Sequence, residues 1–163
     1  MRIGAILGFV AALAVLAGCG QSPSVSPSPP AAVSYSDPAA LVAAIRGADG
    51  PKLSDAYTNT DATAFMPREA HAQRGSFAVA VPGEEAPWFT VCAVFPDARS
   101  RQLGETYGQH LAANYHAQAI FQLKGPNWLV WGIHKKALEA VQRAIGGEIG
   151  LTPKVTSSPK ASP

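Results

Sequence analysis

The sequence predicts an α+β domain. The expected form is a two-layer sandwich: a four-stranded antiparallel sheet with helices on one face, in the order α-β-β-α-β-β-α. Three observations carry that expectation. Short segments alternate apolar and polar residues, as in SFAVAVP (76–82), where Phe77, Val79 and Val81 share a face. Longer segments repeat apolar residues every three or four positions, as in KKALEAVQRAIGG, where Leu138, Val141 and Ile145 do so. Pro- and Ser-rich stretches at 20–36 and 152–163 bracket both kinds and have no apolar period with which to bury a core.

The elements follow in order. Asp37-Pro38 reads as an N-cap followed by proline in the first helical turn, opening a helix with Leu41, Ala44 and Ile45 on one face. Residues 48–74 are mostly polar and read as irregular, with a short helical turn near Arg68–Gln73. After the strand at 76–82, Gly83–Pro87 reads as a hairpin loop. WFTVCAVF (88–95) is almost continuously apolar, which marks a central strand. Asp97 caps the next expected helix, ARSRQLGETYGQHLAANY, on which Leu103, Tyr107, Leu111 and Tyr115 form a stripe. Gly104 and Gly108 flank that stripe and each costs about 1 kcal/mol in a helix, so close approach to the sheet is the expected reason for them. AQAIFQLK (117–124) alternates again, Gly125-Pro126-Asn127 turns the chain, and WLVWGI (128–133) returns. The last helix stops at Gly146-Gly147. Hairpin-then-helix occurs twice, in 76–115 and in 117–147, which suggests a weak structural repeat.

Composition limits function. The chain has 163 residues with 13 Lys+Arg and 11 Asp+Glu, so the formal charge of +2 makes no electrostatic case for nucleic acid. Two cysteines cannot make a disulfide scaffold. One domain is expected over 37–151, followed by a disordered tail at 152–163.

The N-terminus reads as an address. Arg2 gives a positive start, and Ile3 to Gly18 form an uncharged apolar run too short to span a bilayer as a helix. The run ends Leu16-Ala17-Gly18-Cys19, which resembles the lipobox of bacterial lipoprotein signal peptides. The resemblance implies that residues 1–18 are a signal peptide, removed after Cys19 receives a diacylglyceryl group. It further implies a chain held on the outer face of the cell membrane by lipid. Two acyl chains suffice for stable anchoring without a polybasic patch. Residues 19–36 are then the lipidated cysteine and a spacer. The domain itself resembles small actinobacterial lipoproteins of unassigned function, through the DPAALVAAI opening, the TNTDATAFMPR stretch and the strand ending VFPDA. That resemblance implies fold and surface location, and it carries over no catalytic residue.

Chemistry is sparse. His71, His110, His116 and His134 have no metal-ligand spacing, so no metal is expected. There is no GxSxG, no SxxK and no phosphate-cradling glycine pattern, so neither a catalytic residue nor a cofactor is expected. His134 reads as a residue at a strand end, Glu84, Glu85, Lys135 and Lys136 as solvated charges, and Cys92 as a small buried hydrophobe. The candidate binding surface is a sheet face carrying Trp88, Trp128, Gln118 and Gln122, because tryptophan gives large contact area at low entropy cost. The alternative is that these aromatics pack under a loop. Trp128 and Trp131 have opposite parity, so one is expected to leave the core layer. The function expected is a non-catalytic binding module for an envelope protein or small ligand. A phage-encoded lipoprotein that blocks superinfection and a small envelope hydrolase are the alternatives.

Overall fold

The computed structural model describes residues 28–47, 50–58, 66, 68–114 and 119–153. The lipobox, Gln118, His116, Tyr115 and the tail beyond 153 lie outside these residues.

The α+β class holds, with a larger sheet and a different arrangement of layers. Helix α1 (Pro38–Ile45) leads to strand β1 (Leu53–Thr58), a 3-10 turn at Arg68–Ala70, and the hairpin β2 (Gln73–Val79) and β3 (Trp88–Val94). Helices α2 (Ala98–Glu105) and α3 (Tyr107–Asn114) follow, then β4 (Ala119–Lys124), β5 (Trp128–Gly132), α4 (Lys135–Ile145) and β6 (Glu148–Pro153). One sheet of six strands runs β1-β2-β3-β5-β4-β6, and every neighbouring pair is antiparallel. The four strands expected are the inner four. The two edge strands are additional: β1 falls in the stretch expected to be irregular, and β6 runs across the expected domain boundary at Leu151.

The helices occupy both faces, which corrects the two-layer expectation. On one face Leu41, Ile45, Leu138 and Val141 of α1 and α4 pack on Phe77, Val79, Cys92, Val94, Trp128 and Val130. On the other, Tyr107 of α3 and Met66 and Ala70 of the 3-10 region cover Val91, Ala93, Phe95, Leu129 and Trp131. Topology requires this. The chain crosses from β3 over β5 to β4 through α2 and α3, then from β5 over β4 to β6 through α4. Both crossings move the same way along the sheet, from strands that point in opposite directions. Two crossovers of one hand must then put their helices on opposite faces. For the same reason the second hairpin-helix section is not a copy of the first.

Local chemistry sets the helix ends. Asp37 Oδ1 accepts from the Ala40 N–H at 2.8 Å, and Asp97 Oδ1 accepts from the Ser100 N–H at 2.7 Å. These backbone bonds hold both carboxyls below their ordinary range. The single helix expected over 98–115 is broken at Thr106, whose Oγ1 donates to the Leu103 carbonyl. Gly104 is there for close approach: an added Cβ would lie 2.4 Å from the Phe95 ring. Gly146 and Gly147 end α4 with φ of 73° and 96°, a region that L side chains rarely adopt.

The packed unit begins before Asp37. The Asn127 amide accepts from the Tyr35 N–H (3.1 Å) and donates to the Tyr35 carbonyl (2.8 Å) and the Phe95 carbonyl (3.1 Å). Trp128 Nε1 donates to the Val33 carbonyl. Residues 32–35, expected to be spacer, therefore form a strap over the start of β5. At the other end β6 carries Thr152 and Pro153, two residues past the expected boundary at Leu151.

Candidate functional site

The expected surface is dispersed. Trp128 is fully buried under the strap, its ring centroid 6.2 Å from that of Tyr35. Gln122 is also buried, and it faces α3 on the opposite side of the sheet beside its cross-strand partner Trp131. Trp131 is buried too, so neither tryptophan leaves the core. A sheet covered on both faces accepts both parities. Gln118 lies outside the described residues. Among the described candidates Trp88 alone stands at the surface, half-buried where β3 begins.

Trp88 gathers His134, expected at a strand end, and Glu84, expected as a solvated charge in the hairpin loop. The register sets Val79 opposite Trp88 and Thr90 opposite Gly132. That brings the 80–87 loop and the β5–α4 junction to one end of the sheet. His134, in the N-cap position of α4, stacks on Trp88 with ring centroids 4.2 Å apart and an interplanar angle of 6°. Its Nε2 lies 3.6 Å from Glu84 Oε1. Trp88 Nε1 and His134 Nδ1 are both buried with no hydrogen-bond partner among the described residues. An unmade hydrogen bond at a buried polar atom costs about 1–3 kcal/mol. The pair is thus unsatisfied until something else supplies its bonds.

Three concavities meet here. The 83–87 loop and Trp88 enclose about 370 Å³. Glu84 also borders a cleft of about 560 Å³ whose wall holds Lys52 and Arg143. Trp88 also borders an apolar recess of about 140 Å³ formed with Phe89, Val91, Ile120, Trp131 and Ile133. Phe89 and Ile133 are 46% and 42% exposed, large values for such side chains. The site therefore joins an apolar recess, an aromatic–imidazole stack and groups of both charges.

Among the described residues no hydroxyl or thiol hydrogen-bonds His134, and no group of three or more His, Cys, Asp or Glu residues stands together. Cys92 is fully buried mid-sheet, and desolvation pushes its thiol up to about 12. No helix among the described residues is long and apolar enough to cross a membrane.

No family model matches the chain, and no curated protein or solved structure matches it either.

Only the register of β2, β3 and β5 could have revealed the Glu84–His134–Trp88 cluster. The available signal was an acid in the hairpin loop together with a histidine just past the strand that pairs with β3.

Proposed function

We propose that the protein is an exported, lipid-anchored envelope protein whose domain is a non-catalytic binding module, with the Trp88 end of the sheet as its recognition surface. The anchor reading rests on Leu16-Ala17-Gly18-Cys19 closing an uncharged apolar run.

One observation carries the combined reading. The chain enters the domain at the strap, over Asn127 and Trp128, which pair with the far end of β3 at Val94 and Phe95. The Trp88–His134–Glu84 cluster lies at the near end of β3. The seven-residue strand runs from one to the other, about 20 Å. A lipid on Cys19 would thus pull at one pole and leave the cluster facing away from the membrane. Even fully extended, at no more than about 3.6 Å per residue, the chain between Cys19 and Pro30 reaches at most about 40 Å. The domain would sit close over the bilayer and present its other pole to the envelope.

Crosslinking in intact envelopes tests this. A photoreactive residue at Ala86, in the loop beside Trp88, should capture a discrete neighbour. One at Val33 on the strap should not. Trp88→Ala should abolish the Ala86 product while the protein remains folded. Equal capture from both positions, or a product indifferent to Trp88→Ala, would reject the recognition surface.

A further inference from the structure

A second cleft lies apart from the Trp88 pole, between the first turn of α3 and the β4–β6 edge, with a volume of about 300 Å³. Thr106, Gln109, Gln122, Lys124, Gly150 and Thr152 form most of its wall. We propose that this cleft binds a small monocarboxylate, its oxygens received by Gln122 Nε2 and Lys124 Nζ.

A glutamine stands where the sheet asks for an apolar residue. On β4 the residues facing α3 include Ile120 and Gln122, and the cross-strand neighbours on that face are Leu129 and Trp131. Gln122 is only 5% exposed. Its Oε1 accepts from the Thr152 hydroxyl at 2.8 Å, while Nε2 has no partner among the described residues. Beside it Trp131 Nε1 is also buried and unpartnered. Above them stands Gly108, where a Cβ would come within 3.1 Å of Trp131 Nε1 and 3.2 Å of Thr152 Cγ2. The glycine keeps a side chain out of the space next to Trp131 Nε1 and Thr152.

The charges point the same way. Lys124 stands at the mouth, half-exposed, with Nζ 3.7 Å from Glu105 Oε2. Glu105 also receives Arg101 through its other oxygen, and Arg101 Nε is itself buried without a partner among the described residues. Among the residues of the cleft wall the buried polar atom left without a partner is Gln122 Nε2, and an amide N–H can be answered only by an acceptor. A carboxylate offers two acceptor oxygens on one rigid group and adds attraction to Lys124. The single carboxylate of Glu105 disfavours ligands of higher negative charge. At about 300 Å³ the cleft stands at the lower end of small-molecule sites and has room for a small monocarboxylate.

Tryptophan indole N–H resonances of the ¹⁵N-labelled full chain provide the readout, since only three are present. Titration with sodium acetate should move the Trp131 resonance and the Gln122 side-chain amide saturably. Glycerol, and sodium chloride at equal ionic strength, should not. Gln122→Leu removes the donor and Lys124→Gln removes the surface charge without disturbing the core. Each should weaken acetate binding about tenfold, equivalent to about 1.4 kcal/mol. No saturable change with acetate would overturn the proposal, because a buried water would then account for the two donors. So would a response to glycerol as large as that to acetate, or unaltered acetate binding in both variants.

Discussion

Trp128 Nε1 donates a 2.8 Å hydrogen bond to the carbonyl of Val33, 95 residues away in the chain. This bond makes the last part of an apparent spacer a structural element. It closes the buried tryptophan's one polar valence and fixes where the chain leaves the domain. The adjacent residue, Asn127, does the same for Tyr35 through both its oxygen and its nitrogen.

Asn127→Ala should therefore destabilise the domain by about 2 kcal/mol, since it leaves the Tyr35 and Phe95 backbone groups without their amide partner. Denaturant unfolding would measure the loss. Limited proteolysis of the variant should cut first near residues 30–36. An unchanged midpoint with an uncut strap would show that the strap contributes nothing.

Gly104→Ala should cost about 1–3 kcal/mol, because the new methyl would meet the Phe95 ring at 2.4 Å and the helix must shift. The double variant Gly104→Ala with Phe95→Leu should recover part of the loss. A gain in thermal stability from Gly104→Ala alone, as helix propensity by itself would give, would contradict this packing.

Cys92 should make the fold sensitive to alkali. Its thiol is pushed up to about 12 in the folded chain by desolvation, while the unfolded thiol ionises near the ordinary value of 9.0. A raised folded-state value means that the contribution is fully present below pH 9 and is lost progressively as pH rises from about 9 toward 12. Near pH 10 the loss is on the order of 1 kcal/mol. Stability measured against pH in wild type and Cys92→Ala should diverge above pH 9, the variant falling less steeply. Parallel curves would contradict the assignment. The native thiol should also resist alkylation at neutral pH until the protein unfolds.

The inner sheet was legible in the sequence because its strands obey simple patterns. Phe77, Val79 and Val81 alternate, WFTVCAVF is apolar throughout, and Leu138, Val141 and Ile145 follow a helical stripe. The edge strands were not legible. LSDAYT is polar, and EIGLTP follows two glycines and runs into a Pro/Ser tail, so neither has the apolar density of an inner strand. The second helical layer was missed because hydrophobic parity says which residues are buried without saying from which side. Once both faces are covered, Trp128 and Trp131 are both core despite opposite parity. The candidate surface failed at Trp128 for the same reason that the spacer was misjudged: the strap that covers this tryptophan has the composition of a linker. The Glu84–His134 approach depends on pairing between β3 and β5, which no local pattern encodes.

The mass of the N-terminal peptide of the native, membrane-extracted protein tests the central claim most directly. A chain beginning at residue 19, its sulfur carrying diacylglyceryl and residues 1–18 gone, is the expected result. A retained leader, or an unmodified thiol on that cysteine, would contradict it.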